Sequence, residues 1–226
     1  MHLGGMGQSA PIPQCGLMRC GAQWRYSWRV ACALPVLLAL LGGCESIAEA
    51  PSEDPRASWQ AHLYWLESLM VWRASGRVAV QVSNDGWSAS LRWQQRDDDY
   101  QIALSGPFGQ GAVRIDGSAS EVVLRSADGR VQRAATAEQL IAMHLNADVP
   151  VAQLRFWILG RPAPGQDVQE LQVDSQGRLL RLLQAGWLVT YQQYEAHESG
   201  ALPTRLRIKR ERTAARFVLS DWRTGG

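Results

Sequence analysis

Beyond residue 44 the chain has no cysteine: the 4 it carries are Cys15, Cys20, Cys32 and Cys44. Disulfide staples are therefore excluded downstream, and stability there has to come from a buried core. Histidine, which metal or triad catalysis would need, is scarce. Past Cys44 it occurs at His62 and His144, on predicted helices, and at His197, in a predicted loop with Glu195, Glu198 and Gly200. Each reads as a helix-surface or loop residue rather than a catalyst. There is no Gly-x-Ser-x-Gly elbow, no His-Glu-x-x-His, no Walker loop and no Gly-x-Gly-x-x-Gly opening a helix after a strand. The neighbouring acids Asp97, Asp98 and Asp99 fall between two predicted strands and read as a solvated turn rather than a metal or acid-base site. The chain is expected not to be an enzyme and to need no metal or soluble cofactor.

A large excess of one charge is also lacking. All 21 acidic residues lie after Cys44, whereas Arg19, Arg25 and Arg29 are the only ones of the 23 basic residues before it. Residues 44–226 thus carry a formal charge of about −1, and nucleic acid is not an expected partner. The local run Arg205, Lys209, Arg210, Arg212 and Arg216 alternates with Leu206, Ile208 and Phe217, the pattern of a wet strand face. No apolar run is long enough to span a bilayer permanently. The longest, Val30 to Leu41, makes about 18 Å of helix against a hydrocarbon core of roughly 30 Å, and Pro35 interrupts it.

What that run does fit is a secretory h-region. It follows three arginines and closes with Leu41, Gly42, Gly43 and Cys44, as a lipoprotein signal closes on the cysteine that is acylated. Residues 1–43 are expected to be this signal, with translation starting at Met18. Residues 44–54, rich in Glu, Ala and Ser, are expected to be the lipidated N-terminus and a flexible tether. That leaves residues 55–226 as one domain.

The domain opens on a helix: Asp54 can cap it, Pro55 can start it, and Trp59, His62, Leu63, Leu66 and Met70 recur on one face. After Trp72 the period becomes two. Val78, Val80 and Val82 form one strand; Asn84, Asp85 and Gly86 turn; Trp87, Ala89, Leu91 and Trp93 form the next. Tyr100, Ile102 and Leu104 mark a third strand, Val113 and Ile115 a fourth, and two more lie near Val122 to Arg125 and Arg130 to Ala134. Thr136 with Gln139 matches a capping box, with Leu140, Ile141 and His144 on one face of the helix that follows. Pro150 opens a further helix with Leu154, Trp157 and Ile158 on its apolar side, stopped by Gly160. Five more strands run through Gln169 to Val173, Arg178 to Leu183, Trp187 to Tyr194, Thr204 to Lys209 and Ala214 to Leu219. The expected fold is mainly β: about eleven antiparallel strands curling toward a barrel, with three helices.

One loop stands out. Gly106, Pro107, Phe108 and Gly109 sit between the third and fourth strands, and the glycines and proline leave Phe108 as the one bulky side chain at the tip. An aromatic projected there calls for an apolar recipient, a membrane or a partner.

In order along the chain, Trp59 with His62, Gly76 with Arg77, Trp93-Gln94-Gln95, Gly106-Pro107-Phe108-Gly109, Pro150, Leu154 to Gly160, Gly186-Trp187 with Tyr191 and Tyr194, and Trp222 together resemble the LolB family of outer-membrane lipoprotein receptors. The resemblance covers Trp59 to Trp222. It implies a half-open barrel of eleven strands with a helical lid over an apolar cavity, related to the periplasmic carrier LolA. It further implies a monomer anchored by lipid on Cys44 at the periplasmic face of the outer membrane, with LolA as donor and triacylated lipoproteins as cargo for the inner leaflet. Glu45 is consistent with that address, since an aspartate at this place commonly retains lipoproteins in the inner membrane. The family's exposed loop residue, usually leucine, maps onto Phe108, and its cavity-side tryptophans map onto Trp93, Trp157 and Trp187. With Trp87, Leu91, Ile102, Leu104, Leu154 and Ile158 these make the expected acyl cavity. The alternative is a membrane-anchored barrel that binds fatty acid or lipid for itself; it would not need Phe108 exposed.

Overall fold

The computed structural model describes residues 54–145 and 147–225. The signal segment, Cys44 and the tether up to residue 53 lie outside the described residues, as does the His144 side chain. Helix α1 (Pro55–Ser68) starts as expected, with the Asp54 carboxylate accepting the Arg56 N–H at 3.0 Å. It ends before Met70, which is 52 % exposed and does not extend the apolar face. His62 differs more sharply from expectation. It is buried, with Nδ1 2.9 Å from the Gly177 carbonyl and Nε2 2.9 Å from that of Ala201. Expected at the surface as a histidine although its spacing puts it on the apolar face, it is the polar pin that ties α1 to the turn at Gly177 and to the start of the strand that opens at Gly200.

Eleven strands follow: β1 (Val71–Val82), β2 (Asp85–Arg96), β3 (Asp99–Ser105), β4 (Val113–Gly117), β5 (Val122–Ser126), β6 (Val131–Ala134), β7 (Val168–Val173), β8 (Leu179–Gln184), β9 (Trp187–His197), β10 (Gly200–Arg210) and β11 (Thr213–Thr224). They make one antiparallel sheet in the order β6-β5-β4-β3-β2-β1-β11-β10-β9-β8-β7. The first and last long strands meet in the middle, and β6 and β7 are the free edges of a half-open barrel. Helices α2 (Ala137–Leu145) and α3 (Val151–Trp157) occupy the sequence between those two edges. The expected cap forms with a shifted return bond: Gln139 N–H donates to Thr136 Oγ1 at 3.3 Å, and Gln139 Oε1 accepts from the N–H of Ala135, one residue before the cap.

Burial alternates along the central strands as period two demands, with Val78, Val80, Leu91, Trp93, Leu206, Ile208 and Phe217 inward and Arg77, Arg92, Arg207 and Arg216 outward. Gly76 marks a bulge in the β1–β11 register, and a Cβ there would lie 2.0 Å from the Val218 carbonyl oxygen. The strand therefore begins five residues ahead of the Gly76 at which the sequence pattern starts. Likewise β10 runs through Pro203, where a bulge absorbs the missing N–H, and His197 is the last residue of β9, paired with Gly200, rather than a loop residue. Among the described residues, the elements run from Pro55 to Thr224 and their buried apolar side chains form one core cluster.

Candidate functional site

The inner face of β1, β2 and β3 does not meet the helices flush. Val78, Val80, Trp87, Leu91, Trp93, Ile102 and Leu104 on the sheet face Ile141 of α2, Val149, and Val151 and Leu154 of α3, with Phe217 of β11 at the side. Between them lies a slit of about 40 Å³ whose lining is wholly apolar. That is well below the roughly 300–1,000 Å³ of an open small-molecule pocket. In this form the lid is shut.

Six of the nine residues expected at an acyl cavity are brought together here: Trp87, Leu91, Trp93, Ile102, Leu104 and Leu154. Trp93 turns its ring toward the slit and its Nε1–H away, donating to Gln95 Oε1 at 3.0 Å; Gln95 in turn donates to the Asp97 carbonyl. Trp87 and Leu104 are only half buried and form the mouth. The Trp87 Nε1 is buried without an acceptor among the described residues.

Trp157, Ile158 and Trp187 do not line the slit. Trp157 is wholly buried and packs on Trp187, ring centroids 6.5 Å apart. Its Nε1–H donates to Gln184 Oε1 at 2.8 Å, and its carbonyl accepts from the Tyr191 hydroxyl at 2.9 Å. Ile158 is the buried residue just past the end of α3. Gln184, also fully buried, accepts from Ala163 N–H and donates to the carbonyls of Ala163 and Gln166. These side chains form a fixed buttress that holds the C-terminal end of α3 against β8 and β9. The spacing of Trp157 and Ile158, three and four residues after Leu154, shows that they are buried but not against which part of the sheet.

Burial without solvent also fixes the tyrosines of this region. Loss of solvation pushes the Tyr191 phenol far above its usual range, and burial, helped by the neighbouring Tyr191 and Asp174, does the same to Tyr194. Each hydroxyl donates to a backbone carbonyl, Tyr191 to Trp157 and Tyr194 to Leu179.

The lid is latched by few polar contacts. The Glu138 carboxylate of α2 accepts the Ala152 N–H of α3 at 2.8 Å, Arg155 reaches Asp98 at 2.9 Å, and Asp148 pairs with Arg210. The carboxylates of the two ion pairs are exposed and the arginines only partly buried, and such pairs each contribute about 0–1 kcal/mol. The apolar contacts across the slit hold the lid.

The glycine-flanked loop leaves the sheet beside the mouth. Pro107 to Gly109 form a single tight turn closed by Gly106 N–H to the Gln110 carbonyl (2.9 Å), Gly109 N–H to Gly106 (3.1 Å) and Gln110 N–H to Pro107 (3.2 Å). Phe108 is at the tip, 102 % exposed, with φ of +58°. A left-handed non-glycine residue costs roughly 1–3 kcal/mol. This one recovers nothing through burial, so its side chain does not serve the fold.

Pro107 and Trp87 line the same surface groove, which places the projecting aromatic next to the mouth of the slit. Sequence reading missed Val78, Val80, Ile141, Val149, Val151 and Phe217 in the lining, and Gln184 in the buttress. The first three lie on faces whose apolar period was visible; nothing marked a lone glutamine as buried.

A family model described as "Outer membrane lipoprotein LolB" matches residues 70–222. Among curated proteins, the outer-membrane lipoprotein LolB of Halorhodospira halophila is 40% identical over 198 residues, covering 88% of this chain and 96% of that protein. That of Nitrosococcus oceani is 37% identical over 198 residues, covering 86% and 98%. Among solved structures, a LolA superfamily protein from Nitrosomonas europaea superposes with a TM-score of 0.52 at 7% identity, over 76% of this chain and 94% of that one. At that identity the likeness speaks for the fold.

Proposed function

Since the chain belongs to the LolB family, and is thus an outer-membrane lipoprotein of the lipoprotein-sorting machinery, we propose that its apolar slit receives the acyl chains of lipoproteins from a LolA-type carrier and that Phe108 directs their release into the outer membrane. The observation that carries this reading is the pairing of a wholly apolar slit under a weakly latched lid with a fully exposed Phe108 beside its mouth. Acyl chains gain about 0.8 kcal/mol per buried methylene, so they do not cross water unshielded. Entering chains would replace the contacts that α2 and α3 make with β1 to β3, exchanging one apolar surface for another at little net cost. The unmet indole N–H of Trp87 would then find an acceptor in the ester or amide carbonyls of the incoming lipid.

With no nucleotide-binding motif in the sequence, handover has to run downhill: tighter here than in the donor, tighter still in the bilayer. Each tenfold step of that ladder takes only about 1.4 kcal/mol. The chain acts as a monomer and without catalysis. Its own acyl groups, placed on Cys44 after removal of residues 1–43, hold it at the periplasmic face.

The test mixes residues 45–226 with a preformed complex of LolA and a triacylated lipoprotein, without nucleotide, and asks which protein then holds the lipoprotein. Transfer is expected. No transfer to a folded domain that still binds free fatty acid would favour a lipid-binding barrel instead. Intact mass of the membrane-extracted chain tests acylation at Cys44.

A further inference from the structure

The outward side of the same strands is lined by arginine. One groove of about 650 Å³ runs under the start and end of the projecting loop, at Ser105 and Ala112, and is lined by Arg77, Arg92, Arg114 and Arg125. A second, of about 660 Å³, includes Pro107 of the loop itself and is lined by Arg207 and Arg216. No carboxylate lines either groove among the described residues.

Two of these arginine pairs sit directly opposite each other across adjacent strands, Arg114 with Arg125 and Arg207 with Arg216. Like charges so placed destabilise a sheet. Asp116 relieves the first pair, bonding Arg114 at 3.0 Å and Arg125 at 2.5 Å. The second has no carboxylate partner among the described residues, and neither do Arg77 and Arg92. The repulsion is therefore left for something outside the domain to neutralise.

Both grooves flank the loop that carries Phe108. A bilayer that accepts its ring presents its headgroup layer, roughly 5–7 Å deep on each side, against those grooves.

We infer that the arginine-lined outer face of β1 to β5, β10 and β11 is a phosphate-binding surface for anionic membrane headgroups, set to engage as Phe108 enters the bilayer. The inference rests on the membrane role proposed for Phe108 and adds the chemistry of the surface it enters. It differs from a polybasic tail in being a rigid, β-paired array, so its charges are already in place when the surface arrives.

Residues 45–226 are co-sedimented with vesicles of phosphatidylcholine alone and of phosphatidylcholine mixed with phosphatidylglycerol. Binding is expected to be stronger on the anionic vesicles and to fall with salt. Arg207→Gln with Arg216→Gln should weaken anionic binding by about fivefold per arginine and leave binding to neutral vesicles unchanged. The matching lysine variants should restore it. These side chains are exposed, so the substitutions should not impair folding. Inorganic phosphate should compete no better than chloride at equal ionic strength; stronger competition would mark a discrete anion site and overturn the headgroup assignment.

If Phe108→Asp abolishes binding to neutral vesicles while lipid charge and the arginine variants make no difference, the inference falls and the role of Phe108 stands. If Phe108→Asp leaves neutral binding unchanged, the membrane role of the loop falls and takes the inference with it.

Discussion

At the scale of single residues, Phe108 and Gln184 are opposites. Phe108 touches nothing in the fold and sits on a left-handed backbone, so replacing it should cost the domain almost nothing. Phe108→Asp is expected to leave the unfolding free energy, read by urea, within about 0.5 kcal/mol of wild type and acyl-chain binding intact, while release of lipoprotein into vesicles stalls. Loss of acyl binding along with release would show that the ring serves the cavity instead. Gln184 is buried and satisfies an indole N–H, a backbone N–H and two carbonyls. Gln184→Ala strands those groups together and opens a void; a loss of about 2–5 kcal/mol is expected, read by urea unfolding, with no effect specific to membrane release. The exposed residue was legible in the sequence because it is the one bulky side chain among glycines and a proline at a loop tip. The buried one was not, because a glutamine's burial is decided by which backbone groups arrive beside it.

At the scale of elements, the lid decides whether the slit admits a chain. Its polar ties are the Arg155–Asp98 and Asp148–Arg210 pairs and the Glu138–Ala152 hydrogen bond, each at the surface. Asp98→Asn with Asp148→Asn should therefore lower stability by less than about 2 kcal/mol in all, yet speed uptake of a fluorescent fatty acid by up to about tenfold, since opening need only break the apolar contacts that the ligand then replaces. Unchanged uptake kinetics in stopped flow would place the opening step elsewhere, at the free edges β6 or β7. The elements themselves were readable from period and caps: the strand alternation from Val78 to Trp93, the Asp54-Pro55 start and the Thr136-Gln139 cap all formed. Misreadings arose where one residue breaks a local rule that the sheet then repairs. Pro203 hides the beginning of β10, and Gly76 hides the beginning of β1, because each sits at a bulge that only pairing with a neighbouring strand creates. That Trp157, Ile158 and Trp187 pack away from the slit was hidden for a related reason. Amphipathic spacing states that a face is buried, and only the pairing order of the whole sheet states which half of the barrel it meets.

At the scale of the whole molecule, a domain without a disulfide in its described part depends on that closed interior, and the interior is tuned to neutral phenols. Burial, aided by the charge of Glu138, pushes Tyr100 up to about 12, and burial pushes Tyr191 and Tyr194 up further. These groups are harder to ionise in the folded chain than in the unfolded one, where tyrosine loses its proton near pH 10. The unfolded state therefore sheds protons first as pH rises. The stability these tyrosines lend is complete below about pH 10 and is lost progressively above it, through about pH 12 for Tyr100. Absorbance titration at the phenolate band should show Tyr100, Tyr191 and Tyr194 remaining silent until the domain unfolds. Tyr191→Phe keeps the ring that stacks near Tyr194, at 5.9 Å between centroids, but removes the hydroxyl bond to the Trp157 carbonyl. It should lower stability at neutral pH by about 1–2 kcal/mol and shrink the alkaline loss, so that wild type and variant converge as pH rises. Parallel curves at every pH would mean that another group governs the alkaline transition. Convergence would tie the alkaline limit of the molecule to the buttress that fixes α3, and so to the side of the lid that does not open.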